Sequence, residues 1–471
     1  MFKIDKGGRN IVDVSIICTY VLVTLIVGYI AGRDVRSMQD FSISDKTFST
    51  TTLVATIFAT WMGGDDLIGV SERIFSVGVV FLIVQWAQFI SLAIHAYVIA
   101  PRIVADFSDK MSIGEIMGAL YGNIGQIFSG IANILFSIGY VAVQESSIGY
   151  VCNLFLGIPH IYGCVIGSLI IISYSAFGGI KSVVFTDILQ FFILIVGIPL
   201  MASVALNNVG GLESLIAHLP HEHIHIATSG RTFWIYLIFF IVCAFPYFNP
   251  VLIQRILMAR NAKQATKSLI IAGALYIPFY AVIAVIALSA VIMFPSRDPN
   301  SAFLNMLNYS LPPIVKGIAI SGVLAVIMST ADSFLNVSVI SAVRDIIAII
   351  TPHRLTDRME LTFSRCITAI FGFISIFIAT RFYSMIDFWL YFSNFWTPTV
   401  IAPMILYMFN IRTSVKIYVT SVFIGLGAIV IYRYSVPEDL NMVSQLVGMS
   451  VTLITMLLLH KGELWCRSKT L

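Results

Sequence analysis

Charge is what this chain has least of. Only 11% of its 471 residues are Asp, Glu, Lys or Arg, against roughly 25% in a soluble globular protein. That deficit excludes an ordinary soluble fold. With 58% hydrophobic residues it marks a polytopic protein of the lipid bilayer. The net charge of +4 is too small to imply a nucleic-acid partner. Cysteine is sparse: six are present, no CxxC pair occurs, and five of the six lie in apolar stretches. Neither a disulfide framework nor a thiolate metal site is indicated. No HExxH or similar constellation lies in a span, which argues against a membrane enzyme. Period-two alternation with turn chemistry is missing as well, and with it the signature of an outer-membrane barrel. The N-terminal apolar run lacks an A-x-A cleavage signal and is expected to be a first span, not a removed leader.

What fills the chain instead is a series of apolar runs at about 11–32, 49–71, 76–101, 124–154, 158–178, 183–206, 232–254, 268–293, 313–343, 361–380, 384–408, 413–432 and 440–460. These predict an all-α membrane protein of about thirteen helices, each near the roughly 20 residues that cross a bilayer. Placing the N-terminus outside puts 19 of the 28 Lys and Arg residues, Arg255 among them, on the cytoplasmic side. That bias predicts an N-terminus outside and a C-terminus inside.

Two runs are interrupted. The second reads ATWMGGDDLIGVS over 59–71, with paired glycines followed by Asp65 and Asp66. An aspartate at the centre of a spanning helix costs about 2.5–3.5 kcal/mol on insertion scales. The seventh reads CAFPYFNPVLIQR, with Pro246 and Pro250 in mid-run. Backbone freed at membrane depth must line a cavity or be covered by protein. Breaks at matching places in two five-helix halves point to a transporter with inverted repeats.

The ninth run contains SGVLAVIMSTADSFLNVS. Val326, Ser329, Thr330 and Ser333 fall at i, i+3, i+4 and i+7 and share one helical face. Small hydroxyl residues there serve close helix packing, or they serve a hard alkali cation, which needs oxygens in place of its water shell. Asp332 in the same helix favours function. Between the fifth and sixth runs, YSAFGGIKSVVFTDILQ places a Gly178-Gly179 turn before Asp187 and Gln190. Asp187 is either a helix-start carboxylate at the aqueous boundary or a cation-handling group. Four histidines, His218, His221, His223 and His225, crowd an external loop; they are compatible with a solvated loop or with a transition-metal site.

GGIKSVVFTDILQ, the QRILMARNAKQATK stretch and, most specifically, SGVLAVIMSTADSFLN resemble the sodium:solute symporter family, and DFSISDKTFSTTTLVATIFATWMGGDDLIGVS is similar to its first core helix. The resemblance covers about residues 36–410. It implies a leucine-transporter-type fold of two inverted five-helix repeats, with one helix before and two after. The segments would be 1–47 (first helix and loop), 48–206 and 207–410 (the repeats) and 411–471 (two helices and a tail). It implies a sodium ion, carried as co-substrate, held by carbonyls of Ala59, Met62 and Val326 and hydroxyls of Ser329 and Thr330. Asp187, with Asp332 and Ser333, matches a coupling or second-sodium position. Relatives with that second site tend to have serine where Asp332 stands, which leaves one or two sodium ions open.

The solute, a small organic molecule, would then meet Trp61, Asp65, Asp66, Gln85, Gln88, Phe245, Tyr247 and Asn249. Trp61 stands where a small polar residue is common in the family, so sugar or proline specificity cannot simply be copied. The acid pair favours a solute with a positive group, such as an amino acid or another amine. The expected function is inward sodium-coupled uptake by alternating access in the plasma membrane. The alternative is a sensor or channel-like module of the same fold.

Overall fold

The computed structural model of the chain describes residues 11–225, 230–295, 302–351, 355–381, 392–436 and 443–469. Every regular element among them is helical, as a bilayer requires of open-ended segments that must satisfy their own backbone. The main helices are α1 (Ile11–Gly32), α2 (Thr50–Trp61), α3 (Val70–Val77), α4 (Val79–Ile94), α5 (Ile113–Val151), α6 (His160–Asn208), α7 (Gly230–Ala244), α8 (Pro250–Leu257), α9 (Ala262–Met293), α10 (Val315–Ile340), α11 (Asp357–Ala379), α12 (Val415–Ser435) and a last helix, Ser444–Lys469.

Among the described residues nine helices are long and apolar enough to cross a membrane, or ten when one bent pair is taken as a single span. The smaller number, against thirteen apolar runs, has three physical sources. Runs 158–178 and 183–206 both fall within α6 (His160–Asn208), which counts once among the nine although its 49 residues are interrupted at Gly179. The chain turns there as expected: Gly179 takes φ 51° and ψ −135°, outside the helical range and a conformation that suits glycine. Run 232–254 is divided between α7 and α8, each too short alone. Run 384–408 lies partly outside the described residues.

Helix α10 occupies the centre. Its sequence offers apolar or small residues on every side, and each residue from Ala319 to Ile340 is buried, the pattern of a helix enclosed by protein. It packs against α1, α5, α6 and α11. Helix α1 in turn lies close on α6. A Cβ added to Gly32 would stand 2.8 Å from the Gly178 Cα, an approach that only small residues allow.

Both expected interruptions are present. Ser49 caps α2, accepting from the Thr52 N–H at 3.1 Å. The helix stops when Met62 turns extended (φ −78°, ψ 106°). A π-helical turn, Asp65–Gly69, then leads into α3, and the two halves of the span meet at a 60° bend. In the second interruption α7 ends at Ala244, and Phe248 takes a positive φ of 49°. Asn249 then restarts the chain as α8 by accepting from the Val251 N–H at 2.9 Å, with Pro250 as the first helical residue. Helix α8 packs on α2 and α10, which places both breaks beside the central helix.

Candidate ion and solute site

The frayed end of α2 leaves carbonyls that α10 receives. Ser329 Oγ donates to the Ala59 carbonyl at 2.8 Å and to the Val326 carbonyl at 2.9 Å. Thr330 Oγ1 stands 3.0 Å from the Met62 carbonyl, 3.2 Å from that of Thr60 and 3.1 Å from that of Val326. All five residues expected around sodium are thus drawn into one buried knot of oxygens. Four carbonyls, those of Ala59, Thr60, Met62 and Val326, and two hydroxyls at hydrogen-bond range are hard donors, the chemistry an alkali cation takes in exchange for water.

One helical turn away lies a charged cluster. Asp187 Oδ2, on α6, accepts from Thr56 Oγ1 and, at 3.3 Å, from Thr60 Oγ1. Ser333 Oγ lies 3.1 Å from Thr60 Oγ1. Asp332 Oδ2 accepts from the Tyr174 hydroxyl at 2.6 Å. Into this cluster reaches Arg255 from α8. Its Nη2 stands 2.6 Å from Ser333 Oγ and 3.4 Å from Asp187 Oδ2, and its Nε 3.2 Å from Thr56 Oγ1. The sequence reading grouped Arg255 with the cytoplasmic charges, but the side chain is only 1% exposed. Arg255 thus pairs with Asp187, and the Asp332 carboxylate lies within electrostatic reach of the same guanidinium. Asp187 Oδ1 and Gln190 Oε1 are buried acceptors with no donor among the described residues.

On the other side of the first break is a polar, aromatic-walled space. Asp65 is exposed although it lies in mid-span. Its Oδ2 accepts from the Tyr140 hydroxyl at 2.8 Å and its Oδ1 from Gln144 Nε2 at 3.2 Å. Asp66 Oδ1 accepts from the Tyr280 hydroxyl at 2.8 Å and its Oδ2 from the Gly63 N–H at 3.1 Å. Trp61 Nε1 donates to Gln88 Oε1 at 2.5 Å, and Gln88 Nε2 to Gln85 Oε1 at 2.7 Å. Tyr140 stacks on Phe334 with ring centroids 4.3 Å apart, and Phe136 links Tyr140 to Tyr247 and Trp396.

The solute candidates thus separate. Trp61, Gln85 and Gln88 form one chain, and the aspartates are each held by a tyrosine. Tyr247 joins the aromatic wall and donates to Gln445 Oε1 at 3.2 Å. Phe245 contributes its carbonyl to Ser91 Oγ at 3.1 Å. Asn249 spends its side-chain oxygen on capping α8. Sequence reasoning missed Arg255, Tyr140, Gln144 and Tyr280. For Arg255 a signal existed, since a cation five residues past a mid-span proline sits at membrane depth. Tyrosines in apolar helices carry no such mark.

The histidine loop is ordinary by comparison. The His221 and His225 rings stack 5.1 Å apart, and His223 Nε2 pairs with the Phe75 carbonyl at 2.8 Å, at the end of α3. Among the described residues no group of three His, Cys, Asp or Glu could hold a metal ion.

Comparison with known proteins points one way. The family model for the sodium:solute symporter family matches residues 41–425. The sodium/glucose cotransporter of Vibrio parahaemolyticus is 23% identical over 377 residues, 70% of this chain and 68% of that protein. The high-affinity proline transporter PutP of Bacillus subtilis (strain 168) is 26% identical over 359 residues, 72% of this chain and 74% of that one. A sodium-coupled sialic acid symporter, solved substrate-bound and outward-open, shares the fold with a TM-score of 0.83 at 17% identity, covering 96% of this chain and 98% of that one. The chain, a multi-pass membrane protein, belongs to the sodium:solute symporter family.

Proposed function

We propose that the protein is a secondary active symporter in which inward sodium movement drives uptake of a small amine-bearing solute by alternating access. One observation carries the reading: the carbonyls freed where α2 breaks face the two hydroxyls of α10. Sodium sits among Ala59, Met62, Val326, Ser329 and Thr330. In its absence Ser329 and Thr330 donate to the carbonyls of the first break, and on binding those oxygens turn to the ion. A cation bridging a broken span and the central helix favours the conformation that closes the bridge, and that preference is how binding biases access.

Asp187, Asp332 and Ser333 form the coupling cluster beside it. The excess of one carboxylate over Arg255 and two acceptors without a donor among the described residues, Asp187 Oδ1 and Gln190 Oε1, support a second cation there; its binding would compete with Arg255 for Ser333. The solute meets Trp61, Asp65, Asp66, Gln88 and Tyr247. Residues 48–206 and 207–410 are the two inverted repeats, with the N-terminus outside and the C-terminus in the cytoplasm.

Thermal unfolding of the purified protein in sodium, compared with potassium at equal ionic strength, tests the ion assignment. A ligand at 100 times its Kd stabilises the state that binds it by about 2.7 kcal/mol, so sodium is expected to raise the melting temperature by several degrees. Identical melting in the two salts removes the assignment.

A further inference from the structure

At both helix breaks several amide donors are already engaged by the protein's own acceptors. The Gly63 N–H donates to Asp66 Oδ2 and the Gly64 N–H to Gln144 Oε1, each at 3.1 Å. The amides of Asp66 and Leu67 turn back to the Gly63 carbonyl at 3.1 and 3.3 Å. At the second break Pro250 has no N–H to offer, and Val251 gives its own to Asn249 Oδ1 at 2.9 Å. A half-helix N-terminus is where a transporter of this architecture would hold an anionic group of its solute. Here the Gly63, Gly64 and Val251 amides are engaged, and the first break adds two carboxylates. Among the described residues Asp65 and Asp66 are partnered by hydroxyls and amides and by no Lys or Arg.

We propose that the solute is an organic cation without a carboxylate, an amine or quaternary ammonium, and not a zwitterionic amino acid. This rests on the reading of the first break as the solute site of a sodium symporter. Each Asp65 oxygen accepts one bond and keeps a second lone pair, so the exposed carboxylate can receive an ammonium without losing Tyr140 or Gln144. The faces of Trp61, Tyr140 and Tyr247 suit a cation. A solute carboxylate entering the same space finds the Gly63 and Gly64 amides engaged and no Lys or Arg paired with the aspartates among the described residues, and it is repelled by both aspartates.

Matched pairs that differ by the carboxylate make the test: agmatine and arginine, cadaverine and lysine, tyramine and tyrosine, tetramethylammonium and glycine betaine. Binding of each to the full chain in lipid nanodiscs, with sodium present, is read by thermal shift and by competition. At least one decarboxylated member is expected to bind about tenfold or more tightly than its partner, equivalent to about 1.4 kcal/mol, and Asp65→Asn is expected to weaken it about tenfold. Equal or tighter binding by the carboxylated members overturns the proposal, as does binding by neutral sugars alone. Amine binding that ignores sodium leaves the solute class standing and removes the symporter reading instead.

Discussion

Arg255→Gln is expected to be among the most destabilising single substitutions in the molecule, at about 3–5 kcal/mol, the usual penalty for stranding a buried charge. The guanidinium and the Asp187 carboxylate are 1% and 0% exposed and 3.4 Å apart. Taking away the cation leaves Asp187 and Asp332 facing each other with only hydroxyls between them. Asp187→Asn is expected to cost less, because Arg255 keeps Ser333 at 2.6 Å and the Asp332 charge nearby. The double variant should recover part of the loss, since it removes charge of both signs from a site with little solvent. Melting temperatures of the four proteins in one detergent measure the cycle. An Arg255→Gln protein as stable as the parent contradicts the assigned cluster.

The second large effect is on ion dependence. Ser329→Ala and Thr330→Ala are each expected to raise the sodium concentration for half-maximal stabilisation by at least about tenfold, or about 1.4 kcal/mol. Each removes one oxygen from a set of five residues. Thr330→Ser keeps the hydroxyl and should retain most of the sodium response, which separates a ligand role from packing. Ser329→Ala also deletes the 2.8 Å bond to the Ala59 carbonyl, so the ion-free protein should lose about 0.5–1.5 kcal/mol as well. Unchanged sodium titrations in both alanine variants contradict the site.

Much of this site could be read in advance because it is written in local pattern. Gly63-Gly64 before two aspartates signals a break, and the spacing of Ser329 and Thr330 fixes which helix face carries hydroxyls. The structure then joins the two across about 270 residues. Arg255 escaped because its ionic partner is remote in sequence; Asp187 is 68 residues away, and burial is set by how α8 docks. Tyr140, Gln144 and Tyr280 escaped for a different reason. A tyrosine or glutamine in an apolar helix looks like packing until the fold aims it at a carboxylate. The turn at Gly178-Gly179 was legible because paired glycines mark it, and Gly179 takes the non-helical torsions φ 51° and ψ −135° between the two halves of α6.

The most direct test of the account is uphill transport in proteoliposomes. An amine identified from the matched pairs should accumulate inside above its external concentration when a sodium gradient is imposed inward. The accumulation should saturate with solute and collapse when sodium is equalised across the membrane or replaced by potassium. Uptake that proceeds equally in potassium, or that rises without saturation and never exceeds the external concentration, contradicts sodium-coupled symport.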